Sequence, residues 1–256
     1  MSDRILLKLG GSVITDKNAD CAINYDQLST VASAISRANA GPIVIIHGAG
    51  SCGHPEAKHY RLNEGVVAGR TDGIYVTHRA VSRLNDAVVG TLRQMGIPAA
   101  GIHPFHTSVA DKGRLLSFEC RHLEKMLMLE MVPVIHGDVV MDLSQGACIV
   151  SGDQLVQYLA VALGINRVGL ATDVPGVLDG GRVVPVITPA MAPALQIGSS
   201  MYTDVTGGMR GKMNELLGLA EAGIGSEIFH VSRVGDFLAG IDTDGTTVKG
   251  DDLHGR

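Results

Sequence analysis

The chain has no tryptophan, and only 4% of its 256 residues are aromatic. Proteins that bind single-stranded nucleic acid stack bases on aromatic side chains, so this composition gives little support to such a partner. The formal net charge of −5 argues against nucleic acid and against an anionic membrane surface. No apolar run approaches the length of a membrane-spanning helix. We therefore expect no nucleic-acid partner and no membrane partner.

Cysteine is scarce and shows no recognisable pattern. Cys21, Cys52, Cys120 and Cys148 include no C-x-x-C pair, and none has a histidine at zinc-finger spacing. We therefore expect four free thiols in a reducing cytosol. The first four residues lead directly into a short apolar run, without the pattern of a signal peptide. The sequence thus predicts a cytoplasmic protein.

Only 18% of the residues are charged, whereas 45% are hydrophobic, so we expect an ordered chain with a large core. Continuous apolar runs such as residues 42–47 are typical of strands that are buried on both faces. They alternate with stretches of helical period such as residues 74–95. This alternation predicts an α/β fold with a mostly parallel sheet covered by helices on both faces. A hairpin is expected between residues 139–141 and 148–150.

No composition shift marks a domain boundary in the sequence. We expect a single domain over residues 1–250, with a functional division near residue 165. Residues 251–256 are expected to form a polar tail that frays.

Three glycine-rich turns stand out because each carries a cation. The first is residues 8–12 (KLGGS), with Lys17 beyond it; the second is residues 47–54 (HGAGSCGH); and the third is residues 204–212 (DVTGGMRGK). Glycine lets backbone N–H groups converge on an anion. Lysine supplies a mobile positive charge to the same anion. Three such turns indicate a protein that holds several phosphates at once.

Two known phosphate motifs fit this sequence poorly. Residues 48–53 match G-x-G-x-x-G, but a dinucleotide site needs an acidic residue at the end of the next strand, and Asp72 lies in a loop that leads into a helix. Residues 207–212 have the wrong spacing for a P-loop, and Met213 stands where that motif has Ser or Thr. If phosphates are bound, they are bound by a different design.

Each candidate residue also has an ordinary interpretation when it is taken alone. Lys8 could be a solvated edge residue, His54 a surface histidine, and Asp153 a carboxylate favoured by the dipole of a helix. The turn at residues 206–209 could be a simple helix cap. Their joint occurrence in this order favours a phosphate site.

Five segments carry a resemblance to a known family. KLGGSVITDK, HGAGSCGH, SGDQLVQYLA, ATDVPGV and DVTGGMRGKM occur in this order over essentially the whole chain and closely resemble the amino-acid kinase family. His54 closes the second turn, as in the isopentenyl phosphate kinases of the archaeal-type mevalonate route and in fosfomycin kinases. The chain looks most like the former. One departure is Cys52, which stands where the family usually has an aromatic residue.

The resemblance implies a three-layer αβα sandwich. Its N-terminal half, about residues 1–165, would bind the phosphate acceptor, and its C-terminal half, about residues 166–250, would bind ATP. The catalytic residues that it implies are Lys8, Lys17 and His54. The ATP-binding positions that it implies are Lys8, Leu9, Gly10, Gly11, Ser12, Gly50, Asp173, Gly208 and Lys212. The acceptor-binding positions are Ala49, His54 and Gly152, and the residue that orients the lysines is Asp153.

The activity implied by the resemblance is ATP-dependent phosphorylation of isopentenyl phosphate to isopentenyl diphosphate, carried out by a homodimer. Transfer between two phosphates meets strong charge repulsion, so catalysis rests on positioning and charge neutralisation, which lysines and Mg²⁺ supply. Mg²⁺ is expected on the ATP phosphates with few direct protein ligands, and we nominate no metal-binding residue.

Several alternatives stay open at this point. They are a kinase of the same fold for another small phosphate or phosphonate such as fosfomycin, an amino-acid kinase with a carboxylate or carbamate acceptor, and a non-catalytic nucleotide-binding sensor. The helix that carries Ile74, Val81, Leu84 and Val88 could line a cavity for the acceptor tail, or it could be ordinary core.

Overall fold

The computed structural model describes residues 4–16, 21–38, 40–195 and 208–251. Lys17 and the start of the third glycine-rich turn, residues 204–207, lie outside the described residues, as does most of the polar tail. Within the described part of the chain, no helix is both long and apolar enough to cross a membrane.

The strands in chain order are β1 (Ile5–Leu9), β2 (Ile43–His47), β3 (Ala99–Ile102), β4 (Ser108–Asp111), β5 (Arg114–Phe118), β6 (Val132–His136), β7 (Asp138–Asp142), β8 (Gly146–Val150), β9 (Arg167–Thr172), β10 (Leu178–Asp179), β11 (Arg182–Val183), β12 (Val186–Ile187), β13 (Ser226–His230) and β14 (Thr246–Val248). The α-helices are α1 (Gly11–Ile14), α2 (Tyr25–Ala38), α3 (His54–His59), α4 (Asp72–Gln94), α5 (Pro104–Thr107), α6 (Arg121–Met128), α7 (Gly152–Ala162), α8 (Gly208–Glu221) and α9 (Val234–Ala239).

The main sheet has the strand order β12-β14-β13-β9-β1-β2-β6-β3. Strand β1 lies in its middle and pairs in parallel with β2 on one side and with β9 on the other. Strands on the β2 side come from the first 136 residues, and those on the β9 side come from residues 167–248. The carboxyl ends of β1, β2 and β9 therefore meet at one edge, because Leu9 is in register with both His47 and Ala171.

Both faces of the main sheet are buried. Alternate residues of a strand point to opposite faces, so Leu6 packs into one core cluster and Leu7 into a second. Helices α7 and α8 contribute residues such as Leu155 and Leu216 to the first cluster. Helices α2, α4 and α9 contribute to the second, for example through Leu28. The predicted three-layer α/β sandwich with a mostly parallel sheet is confirmed.

A second sheet with the order β5-β4-β7-β8 lies beside the main one. Its β7–β8 hairpin, in which Val140 is opposite Cys148, is the hairpin predicted from the sequence. The β4–β5 hairpin was not predicted. Strand β5 is largely exposed, so its residues lack the continuous apolar run by which a buried strand is recognised.

Candidate active site

The first two glycine-rich turns meet backbone to backbone at the carboxyl edge of the main sheet. The N–H of Gly48 donates to Leu9 O at 3.0 Å, which joins the second turn to the end of β1. A Cβ on Gly11 would lie 2.6 Å from Gly50 Cα, and one on Gly48 would lie 2.8 Å from Gly11 N. Gly50 also has a φ of +54°, which favours glycine. Side chains at these positions would separate the two turns.

Thr15 fastens this contact between the two turns. Its hydroxyl donates to Gly11 O at 2.8 Å and accepts the N–H of Ser51 at 3.0 Å. Thr15 thus ties the second glycine turn to the start of α1, and together the two turns form a floor whose backbone N–H groups suit an anion. Thr15 and Ser51 were not singled out in the sequence, because a lone hydroxyl beside a glycine turn is too common to carry a signal.

Asp153 holds two lysines at this floor. Its Oδ1 atom accepts Lys8 Nζ at 2.5 Å and Lys212 Nζ at 3.3 Å. Lys8 leaves β1 toward α7, and a Cβ on Gly152 would lie only 3.2 Å from its Cε, so glycine there makes room for the lysine stem. Asp153 lies in the first turn of α7, whose N-cap Ser151 accepts the N–H of Gln154. Two cations are thus fixed beside the glycine turns by one carboxylate.

Burial and charge together set the protonation of this group. Burial lowers the pKa of Lys8 to about 8. The Asp153 charge raises this pKa, and the nearby Lys212 charge lowers it further. Burial alone would raise the pKa of Asp153, but the charges of Lys212 and Lys8 outweigh it and hold that pKa at about 2. Near neutral pH the carboxylate is therefore ionised, and Lys8 is mostly protonated but close to releasing its proton.

A cavity of about 630 Å³ opens above this group. One end, which we name the lysine end, is formed by Lys8, Lys212, Asp153 and the two glycine turns. The other, which we name the apolar end, is formed by Ala57, Thr77, Val81 and Ile149. A cavity with concentrated positive charge at one end and a short apolar wall at the other suits a small molecule with an anionic head and a hydrocarbon tail.

Most of the residues predicted from the sequence line this one cavity. They are Lys8, Gly10, Gly11, Ser12, Ala49, Gly50, His54, Gly152, Asp153, Asp173 and Lys212. Leu9 is not among them: its side chain is buried in the core, and it serves the site through its carbonyl. Gly208 is the first residue of α8, next to Met209, which lines the cavity. Lys17 lies outside the described residues.

The sequence reasoning missed Lys58, Thr77 and Asp138, which also line the cavity. Lys58 is exposed on α3 four residues after His54, so the two share one face of the helix, and this spacing could have revealed it. The carboxylate of Asp138 is already engaged: it accepts hydrogen bonds from His78 Nδ1 at 3.0 Å and from the N–H groups of Phe105 and Val139. No pattern in the sequence marks Asp138 or Thr77.

The expectation of four free thiols is wrong. Cys21 and Cys52 form a disulfide across a sequence separation of 31 residues, and Cys120 and Cys148 remain free. The chain after α1 returns to the site through a bridge between Thr15 and Ile23, which brings Cys21 beside the second glycine turn. Spacing alone gives no hint of this pair. Cys52 is fully buried and occupies the place of the aromatic residue that the family resemblance led us to expect.

Helix α4 lines the cavity with only part of the stripe that the sequence suggested. Thr77 and Val81 reach the cavity. Leu84 and Val88 are core residues, and Ile74 packs on a separate small cluster. The helical period identified the buried stripe but not which part of it borders an opening.

Buried histidines lie behind the cavity at the ends of β2 and β6. His47 and His136 are stacked, with ring centroids 5.6 Å apart, and burial lowers the pKa of each. Both are neutral near pH 7, so they contribute hydrogen bonds and no positive charge to the site. Among the described residues, no group of three His, Cys, Asp or Glu side chains is arranged to hold a metal ion.

Comparisons with known proteins agree with this geometry. The profile of the "Amino acid kinase family" matches residues 3–230. Isopentenyl phosphate kinase of Haloferax volcanii is 39% identical over 249 residues, which is 96% of this chain and 99% of that protein. The enzyme of the same name from Methanothermobacter thermautotrophicus is 38% identical over 264 residues, again with 96% and 99% covered.

Solved structures agree as well. A chain described as "X-ray structures of isopentenyl phosphate kinase" matches with a TM-score of 0.84 and 35% identity, covering 95% of this chain and 99% of that one. Aspartate kinase from Synechocystis matches with a TM-score of 0.68 at 17% identity and supports the fold alone. The chain belongs to the amino acid kinase family and is similar over nearly its whole length to isopentenyl phosphate kinases.

Proposed function

We propose that this protein is a phosphotransferase that uses ATP to phosphorylate isopentenyl phosphate to isopentenyl diphosphate in isoprenoid biosynthesis. The relatives of that name at 38–39% identity support the activity. The observation that carries the proposal is the lysine end of the cavity, where Asp153 holds Lys8 and Lys212 beside two apposed glycine turns. This arrangement gathers positive charge and backbone N–H groups at one point, as transfer between two phosphates requires.

In the proposed reaction, an oxygen of the acceptor phosphate attacks the γ-phosphorus of ATP, and ADP leaves. The acceptor is already ionised, so the reaction needs no strong general base. Lys8 and Lys212 neutralise the charge that the phosphates bring together, and the N–H groups of the turns at Gly11 and Gly50 bind their oxygens. Lys17 is proposed to stabilise the transition state, as the family resemblance implies.

The two substrates are proposed to approach from opposite halves of the sheet. The acceptor phosphate would bind near Ala49, His54 and Gly152, with its tail toward the apolar end. ATP would bind near Asp173, Gly208 and Lys212, which follow β9 or lie at the start of α8. This division supports an acceptor half over about residues 1–165 and an ATP half over about residues 166–250.

Mg²⁺ is proposed to arrive on the ATP phosphates. Asp153 is committed to two lysines, so its carboxylate is not proposed as a ligand of the ion. Asp173 lines the cavity, and we propose it as a nucleotide-binding residue. Bound to the ATP phosphates, Mg²⁺ would neutralise phosphate charge together with the lysines. We also propose a homodimer, to be tested by light scattering.

The test is turnover with a panel of acceptors. ADP release is measured with isopentenyl phosphate, fosfomycin, N-acetylglutamate, aspartate and no acceptor, and the product is identified by ³¹P NMR. We expect the highest kcat/KM with isopentenyl phosphate and a product with two coupled phosphorus resonances. A preference for fosfomycin or a carboxylate would overturn the proposed acceptor, and nucleotide binding without transfer to any acceptor would indicate a sensor.

A further inference from the structure

A second cavity of about 580 Å³ lies beside the first and shares Ile149 and Ser151 with it. Its wall includes an ion pair that joins the two halves of the chain, between Arg114 of the β4–β5 hairpin and Glu215 of α8. The guanidinium donates to both carboxylate oxygens, at 2.5 Å to Oε1 and 2.8 Å to Oε2, and also to Gln157 Oε1 at 3.3 Å. Such a two-pronged contact fixes the carboxylate in direction as well as in distance.

The hairpin that carries Arg114 is held by α7. Gln154 Oε1 accepts the N–H of Leu115 at 3.1 Å, and Gln154 Nε2 donates to Gly113 O at 3.3 Å. Gln154 follows Asp153 directly in the first turn of α7. One helical turn therefore positions both the hairpin arginine and the carboxylate that holds the two lysines of the first cavity.

Glu215 is buried, and Lys212 precedes it by three residues on α8. The side chain of Glu215 is 10% exposed, whereas that of Arg114 is 57% exposed. Residues three apart on a helix are neighbours, with Cβ atoms about 5–6 Å apart, so a released Glu215 carboxylate would lie within reach of the Lys212 ammonium group. Arg210, the other cation of α8, is exposed and five residues from Glu215, which places it on a different face.

Lys212 is held less closely than Lys8 at the first cavity. Its Nζ atom lies 3.3 Å from Asp153 Oδ1, against 2.5 Å for Lys8. A buried carboxylate that loses its partner is costly, so it gains most from a new cation. Without Arg114, Glu215 would therefore compete with Asp153 for Lys212.

We propose that Arg114 is a positioning residue for phosphate transfer, which occupies the Glu215 carboxylate and so keeps Lys212 on Asp153 and available to the nucleotide. Arg114 lines the second cavity and not the first, so it acts through Glu215 rather than on a substrate. In this way the acceptor half acts on the ATP half. The proposal rests on the assignment of Lys212 to ATP under the proposed function.

The test begins with Arg114→Gln, which removes the charge and leaves Glu215 unpaired. We expect kcat/KM for ATP to fall by about tenfold, mainly through KM, because one charge-assisted contact to the nucleotide is weakened. The double variant Arg114→Gln/Glu215→Gln has no carboxylate to compete for Lys212. It should restore kcat/KM for ATP to within a few-fold of the parent. A pair that only ties the hairpin to α8 would instead leave the double variant as impaired as the single one.

Two further comparisons show whether the effect passes through Lys212. In a Lys212→Ala background, Arg114→Gln should lower kcat/KM for ATP no further. Arg121→Gln is the control, because it breaks the exposed pair of Arg121 with Glu119 after β5, and it should leave ATP kinetics unchanged. Arg114→Lys keeps the charge without the two-pronged contact and should weaken ATP binding less than Arg114→Gln. It serves as the test variant if Arg114→Gln does not fold.

Binding measurements keep this inference separate from the proposed function. Calorimetric Kd values for ATP without acceptor should rise in Arg114→Gln and recover in the double variant, whatever the acceptor is. If isopentenyl phosphate is not phosphorylated, the proposed function fails, while these Kd values still decide the role of Arg114. A folded Arg114→Gln protein with the parental Kd overturns the inference, as does a double variant that binds ATP as weakly as the single one.

Discussion

The lysine end and the apolar end of the cavity are built in different ways. The lysine end is made of backbone turns that touch one another, with two cations fixed on a single carboxylate. The apolar end is made of side chains from α3, α4 and β8. We therefore expect anion binding to depend on backbone shape and charge, and tail binding to depend on side-chain volume.

This difference predicts how each end responds to mutation. At the lysine end, a small change removes charge balance from buried groups and should abolish turnover whatever the acceptor tail is. At the apolar end, a change of similar size should alter the choice of acceptor and leave the transfer step intact.

The largest effect is expected from Asp153→Asn. Removal of this charge leaves Lys8 and Lys212 without their shared partner, which should lower kcat/KM by about 10³-fold for every acceptor. Loss of one member of a buried ion pair should also lower the free energy of unfolding by about 3–5 kcal/mol. Asp142→Asn is the control: Asp142 is buried and accepts backbone N–H groups outside the cavity, so it should affect stability without affecting turnover.

The pH profile gives a second measure of the same change. Lys8 must be protonated to bind phosphate, so in the parent protein kcat/KM for ATP should decline as the pH rises through about 8. The Asp153 charge raises the pKa of Lys8, so its removal should move this decline to lower pH. If the pH dependence of kcat/KM is the same in Asp153→Asn as in the parent, deprotonation of Lys8 is not the cause of the decline at high pH.

His54→Ala is expected to have the next largest effect. His54 begins α3 directly after the second glycine turn and lines the cavity, where we propose that it contacts the acceptor phosphate. Its loss should reduce turnover by about 10²–10³-fold, or roughly 3–4 kcal/mol, and His54→Gln should recover part of this through its remaining donor. His59→Ala, at the exposed far end of the same helix, serves as control. Near-normal turnover of His54→Ala would contradict the assignment.

Cys21→Ser should change stability without changing acceptor choice. The disulfide closes a loop of about 31 residues next to the lysine end, and opening it should lower the free energy of unfolding by about 3 kcal/mol. A reducing agent should abolish the difference between parent and variant. Cys120→Ser, which removes a free thiol, should have a small effect under both conditions. Titration of four reactive thiols in the unfolded, unreduced parent would rule the disulfide out.

The smallest effect is expected at the apolar end, from Val81→Ala. Shortening this wall should raise the ratio of kcat/KM for ten-carbon geranyl phosphate to that for isopentenyl phosphate by about tenfold, at roughly 0.8 kcal/mol for each carbon newly buried. Leu84→Ala is the matched control, because Leu84 is a fully buried residue of the same helix in the core. It should lose more stability and leave the ratio unchanged. Equal shifts in both variants would show that α4 does not border the tail.

The fold class and most residues of the lysine end could be predicted from the amino-acid sequence. Continuous apolar runs and helical periods depend on neighbouring residues, so the sequence alone is enough to predict β1, β2, α2 and α4. The glycine turns can also be recognised locally, because each needs residues without a side chain at particular positions in a short segment. The resemblance to amino-acid kinases, whose segments occur in the same order, then predicted that these segments form one site.

Three features could not be predicted: the pairing of Cys21 with Cys52, the part of the α4 stripe that borders the cavity, and the position of Thr77. Each depends on which distant segment lies opposite, and no pattern within one segment records that. Gly53 packs against Val81 and Gly73 against Tyr60, and Thr77 lies between these two contacts on the cavity wall. Thr91, a residue of the same type on the same helix, is satisfied by its own backbone. Both threonines follow the same helical pattern, so the sequence of α4 does not show which of them borders the cavity.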